Sequence, residues 1–112
     1  MEKNYCVIKK NVNDGRGEAL RAGNNGIYAC SQEEAKALVD VHTTIMGIEC
    51  YMVRLDLLYS KFDTFLRDIV TYYKGTYPED TITEEEIIKL MYDSTLHHYI
   101  SENIPFEYRE IL

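Results

Sequence analysis

The chain contains a helix-patterned run too long for a compact protein of its size. Residues 31–73 contain no proline, and apolar side chains recur at alternating steps of three and four: Ile45, Ile48, Met52, Leu55, Tyr59, Phe62, Leu66, Ile69 and Tyr73. That is the a/d series of a heptad pattern. A continuous helix of this length would span roughly 60 Å. A compact chain of 112 residues has a radius of gyration of about 13 Å and is roughly 35 Å across. Either the helix breaks, at Gly47, or it finds its partners on a second copy of the chain. A second stripe, Tyr51, Leu58, Phe65 and Tyr72, runs beside the first. Together they cover more than the ~100° that one packing contact needs, which predicts a homo-oligomer, a dimer or higher.

The flanking segments fill in an α+β fold within a single domain, residues 1–112. Residues 4–10 (NYCVIKK) predict a strand, Asp14-Gly15 a hairpin turn, residues 18–22 a returning strand, and residues 27–30 (IYAC) a third short strand. Residues 1–30 are therefore expected to form an antiparallel meander. Ser31 with Glu34 forms a capping box that opens the long helix at 31–74, and Lys74-Gly75 closes it with a left-handed glycine. Thr83 with Glu86 caps a second helix at 83–102, with Ile87, Leu90, Met91, Ser94, His98 and Ile100 toward its buried side. The two helices form a hairpin, and residues 103–112 are a tail after Pro105 is reached.

Composition narrows the function classes. No apolar run is long enough to cross a bilayer, and the start lacks the basic and apolar regions of a signal peptide, so neither a membrane partner nor export is expected. Cys6, Cys30 and Cys50 are odd in number and widely spaced, which fits reduced, buried thiols in a cytoplasm. The net charge of −7 is uneven. Residues 1–74 carry ten acidic and ten basic side chains, whereas residues 75–112 carry nine acidic ones against Lys89 and Arg109. Binding to duplex nucleic acid is disfavoured, because phosphate neutralisation needs a basic face. An acidic third serves solubility, or imitates nucleic acid before a basic groove.

The motifs for catalysis are missing. The sequence has no H-E-x-x-H, G-x-S-x-G, P-loop or G-x-G-x-x-G. His97 and His98 are adjacent on a helix and point about 100° apart, so they do not chelate one metal. They and His42 are expected to pack or cap. No metal, cofactor or catalytic set is expected, and the chain is expected not to be an enzyme.

Two segments carry ligand-contact chemistry. Residues 11–26 (NVNDGRGEALRAGNNG) hold four of six glycines, four of six asparagines, and Arg16 and Arg21. Glycine lets backbone approach a ligand, turn amides can form an anion nest, and arginine matches phosphate. The tail presents Phe106, Tyr108, Arg109 and Glu110. An aromatic ring can stack on a base, a guanidinium can pair with phosphate, and a carboxylate can accept from ribose hydroxyls.

The NDGRG loop, the capped helix at 31–73 and the aromatic-Arg-acidic tail at 106–110 together resemble the phage anti-Thoeris sponge proteins. Those proteins sequester cyclic ADP-ribose isomers. The resemblance implies a homo-oligomer in the cytoplasm of an infected bacterial host. It also implies ligand pockets between subunits and no chemical turnover. Arg109 and Glu110 match the ligand-contacting positions. An aromatic residue and an asparagine frame the adenine in that family, and Tyr92, Tyr77 and Asn103 are the candidates by region. Some members also hold cyclic oligonucleotides on arginine-bearing loops, for which Arg16 and Arg21, with Asn24 and Asn25, are the candidates here. The competing expectation is an acidic phage-type inhibitor that covers a nucleic-acid-binding defence protein through residues 79–110.

Overall fold

Strand β1 (Tyr5–Lys10) buries Cys6, Val7 and Ile8 in succession. Side chains alternate between the faces of a strand, so three buried neighbours require cover on both sides. A computed structural model describing residues 2–22 and 26–106 shows that cover. Strand β1 is the middle of a three-stranded antiparallel sheet with order β2-β1-β5, where β2 is Gly17–Ala19 and β5 is Cys50–Arg54. Helix α1 (Gln32–Asp40) lies against one face, where Val7, Cys30, Ala35 and Cys50 cluster. Helices α2 (Leu55–Thr76) and α3 (Glu84–His98) cover the other. There Cys6, Ile8, Tyr51 and Val53 meet Leu58, Phe62, Leu66, Tyr99 and Ile100. The fold is α+β, as expected.

The long helix is not continuous. Helix α1 ends at Asp40 and relaxes into a wide π turn, Val41–Ile45. The chain then reverses at Gly47, whose φ of +67° is the left-handed conformation that glycine adopts without strain. Residues 50–54 enter the sheet instead of a helix. They pair Cys50 with Lys9 through to Arg54 with Tyr5. The break at Gly47 satisfies the length constraint within one chain. In α2 the buried stripe is Leu58, Phe62, Leu66 and Val70, a step of four rather than the alternating heptad step. Only Phe62 and Leu66 of the a/d series are fully buried, and Tyr72 of the second stripe is exposed.

The expected meander is corrected in the same way. The third strand of the main sheet is β5, not residues 27–30. Strands β3 (Arg21–Ala22) and β4 (Gly26–Ile27) form a small separate ladder, and Cys30 makes one isolated bridge to Tyr5. The capping boxes behave as local chemistry dictates. Ser31 Oγ accepts from the Glu34 amide at 3.2 Å, although the Glu34 carboxylate is taken by the Tyr28 hydroxyl. Thr83 Oγ1 accepts from the Glu86 amide at 3.2 Å and donates to Glu86 Oε1 at 2.9 Å. Gly75 does not adopt the left-handed conformation; it stays inside α2. Lys74 Nζ instead binds the carbonyls of Asp80 and Ile82 in the following loop, at 3.2 and 2.7 Å. On α3, Ile87 is buried, but Leu90 is 76% exposed, and Ser94 and His98 are exposed as well, so these three lie off the core face. Helix α3 gives way at His98 to a second π turn, Tyr99–Asn103, which buries Tyr99 and Ile100.

The molecule measures 53 × 33 × 27 Å with a radius of gyration of 15.8 Å, larger than the ~13 Å of a compact chain this long. Helix α2, of 22 residues, is about 33 Å long.

Candidate functional site

The two segments singled out for ligand chemistry meet at one end of the sheet. The Gly17 amide donates to the Ile104 carbonyl at 2.6 Å, which ties β2 to the segment leading into the tail. Phe106 packs edge-on against Tyr51, with ring centroids 5.4 Å apart, and Lys10 Nζ stands 5.6 Å from the Phe106 ring centre. Arg21 Nη1 lies 3.5 Å from Ser101 Oγ. The loop of the β1–β2 hairpin and the start of the tail are therefore neighbours. Lys10 is the cation that sequence reasoning missed. Its signal was position, as the last residue of β1 beside a glycine-bearing turn.

A cleft of about 260 Å³ opens beside Lys10. Asn11, Val12 and Gly15 of the hairpin line one side, and Gly47, Ile48 and Glu49 the other. It is smaller than the ~300–1,000 Å³ usual for a small-molecule site. Glu49 Oε1 approaches Lys10 Nζ to 3.8 Å, a loose and exposed ion pair.

The hairpin loop is not an open anion nest. Asn11 Oδ1 accepts from the Asn13 amide at 2.8 Å, the Asn11 carbonyl from Gly15 at 2.9 Å, and Asp14 Oδ1 from Arg16 at 2.9 Å. The turn's own side chains and backbone consume the amides that a phosphate would need. Any anion recognition here falls to the exposed Arg16 and Lys10 side chains.

The adenine-framing candidates are spread out. Tyr77 stacks on Tyr73 at 5.0 Å beyond the C-terminal end of α2, while Phe106 sits on Tyr51, just before that helix begins. The two rings thus belong to separate aromatic pairs. Tyr77 does line its own hollow of about 540 Å³ with Pro78, Glu79 and Asp80. Tyr92 packs edge-on against Phe62 at 5.3 Å. The Asn103 side-chain Nδ2 donates to the His98 carbonyl at 3.1 Å. Asn24, Asn25, Tyr108, Arg109 and Glu110 lie outside the described residues.

The remaining reactive groups have structural surroundings. His42 Nδ1 is 2.8 Å from the Leu38 carbonyl, and His97 and His98 sit in the last turn of α3. Burial, with Cys30 adding to it, pushes the Cys6 thiol up to about 12, which makes it inert as a nucleophile. Among the described residues no three His, Cys, Asp or Glu side chains gather as a metal site, and no helix is long and apolar enough to cross a membrane.

No protein-family model, curated protein or solved structure matches this chain. The residues themselves are what a functional reading rests on.

Proposed function

We propose that this protein binds a small cyclic nucleotide, of the cyclic ADP-ribose type, and sequesters it without chemical turnover as a homo-oligomer. The observation that carries this reading is the junction of hairpin and tail: Gly17 bonded to Ile104, and Lys10 over Phe106. It places one cation, Lys10, and an aromatic ring beside the root of a tail whose sequence carries Tyr108, Arg109 and Glu110. Such a set suits phosphate, base and ribose together. The 260 Å³ cleft is too small to enclose a dinucleotide alone, which favours a pocket completed by a second subunit. Sequestration at nanomolar affinity requires about −12 kcal/mol.

Isothermal titration with cyclic ADP-ribose isomers, ADP-ribose, NAD and cyclic trinucleotides tests the reading. Saturable binding of one cyclic species, recovered intact after denaturation, is expected, and Arg109→Ala should lose it without loss of folding. Absence of heat with every ligand would sink the proposal. A second reading, an acidic inhibitor of a nucleic-acid-binding protein, draws on the exposed first turn of α3, Glu84, Glu85 and Glu86. Replacing those three together with Glu107 separates the two, because a sponge would keep its ligand.

A further inference from the structure

Strand β5 is the open edge of the sheet: it pairs with β1 on one side and with no described strand on the other. The ladder fixes which of its backbone groups are free. Lys10 donates to the Glu49 carbonyl and Leu55 to the Asn4 carbonyl, so odd-numbered residues of this stretch face β1. Cys50, Met52 and Arg54 therefore turn their N–H and C=O groups outward. Natural proteins protect such an edge with proline, a bulge or inward charges. Residues 50–54 carry one charge, on Arg54 at the far end. Beside the edge runs a groove of about 420 Å³, floored by Cys50 and Met52 and walled by Lys36, Val39 and Asp40 of α1.

We infer that β5 pairs antiparallel with β5 of a second copy about a two-fold axis at Met52, making one continuous six-stranded sheet. The occupant follows from charge and symmetry. Centring the pair on Met52 sets the uncharged Met52 against itself, with no like charges opposed. The same register sets the partner subunit's Arg54 opposite Cys50. Cys50 Sγ lies 3.6 Å from the Val39 carbonyl, so that position is next to Asp40 at the end of α1. Each Arg54 thus comes beside Asp40 across the axis, twice per dimer, with Lys36 on the same wall, while on its own chain it bonds Asp56 through Nε at 3.0 Å and Nη2 at 2.5 Å. An interface of this kind is isologous, as a two-fold dimer requires. It shares the homo-oligomer with the proposed function, and its test needs no nucleotide: a dimer that fails to cross-link at Met52 overturns this interface alone, whereas a monomer would count against both.

Sedimentation of the full chain should give twice its 13.1 kDa mass. Met52→Pro removes an outward amide and trims a half-buried side chain but leaves every hydrogen bond to β1 in place, so it should halve that mass while circular dichroism stays native. Opposed residues in a hydrogen-bonded pair stand about 5.5 Å apart at Cα, within the roughly 4.4–6.8 Å that a disulfide spans. Met52→Cys should therefore cross-link reducibly on mild oxidation, and Val12→Cys, on the exposed hairpin tip, should not. Asp40→Lys should raise the dimer dissociation constant about tenfold or more. A wild-type chain that stays monomeric, a folded Met52→Pro that stays dimeric, or a dimer in which Met52→Cys fails to cross-link would each overturn the interface.

Discussion

Gly17 and Ile104 touch through backbone alone: the Gly17 amide bonds the Ile104 carbonyl at 2.6 Å, and a Cβ on Gly17 would stand 3.1 Å from that same oxygen. It would also come within 2.7 Å of Ile8 Cγ2, in the sheet core. Eighty-odd residues of chain separate the two partners, so this contact holds the tail segment to the hairpin. Gly17→Ala is expected to cost about 1–3 kcal/mol through overpacking, read as a lower urea midpoint at unchanged slope. An unaltered midpoint would mean that the segment ending at Phe106 is not held there.

Two apolar residues that look equivalent in the sequence should respond differently to truncation. Phe62 is 1% exposed and touches Tyr92 and Tyr99, whereas Leu90 is 76% exposed. Phe62→Ala should destabilise by about 3–5 kcal/mol. Leu90→Ala should stay within about 0.5 kcal/mol. Equal losses in chemical denaturation would contradict the packing of α2 on α3.

Acid should loosen the turn between α2 and α3. The Tyr73 hydroxyl, then the Ile82 amide, holds the Asp80 carboxyl below its ordinary value of 3.8. A carboxyl with a lowered folded pKa stabilises the native state above its unfolded pKa, and that contribution is lost as pH falls through the folded value. Stability from Asp80 is thus complete above about pH 4 and fades below it. Asp80→Asn should flatten part of the acid limb of a melting-temperature profile; the part due to Asp56, lowered by Arg54, should remain. An acid limb unchanged by Asp80→Asn would remove Asp80 from that role.

Native thiols should be nearly silent. Cys6, Cys30 and Cys50 are all buried, and the Cys6 thiol lies at about 12. Labelling with a disulfide reagent at pH 8 should be slow in buffer and should reach all three cysteines in urea. Rapid native labelling of Cys6 would show that the sheet opens between β1 and the helices.

Much of the local structure was legible in the residues. Ser31 and Thr83 cap helices where their hydroxyls and the following glutamates predicted it, and Asp14-Gly15 turns the hairpin with Gly15 at φ +73°. These features depend on side chains within four residues of each other. The β5 strand was not legible. Cys50, Tyr51, Met52 and Val53 are apolar in succession because both faces of β5 are covered, so no period of two survives to mark a strand. Met52 and Leu55 also happen to extend the heptad of α2.

The candidate site divides along the same line. Arg16, Arg21 and Phe106 could be named from residue chemistry, but Lys10 could not, because its importance comes from standing over Phe106. Tyr77 looked equivalent to Phe106 in type, and the fold pairs it with Tyr73 while Phe106 packs on Tyr51.

By itself, then, the sequence determined the caps, the hairpin turn, and a mixed α+β chain with its acid concentrated in the last third, and it left the break at Gly47 as one of two alternatives. The tertiary structure alone decided that residues 50–54 complete the sheet, that hairpin and tail root share one end, and that one strand edge stays open. The reason is range. Caps and turns are set by hydrogen bonds between near neighbours, whereas β5 is a strand because β1, more than forty residues away, offers it a ladder.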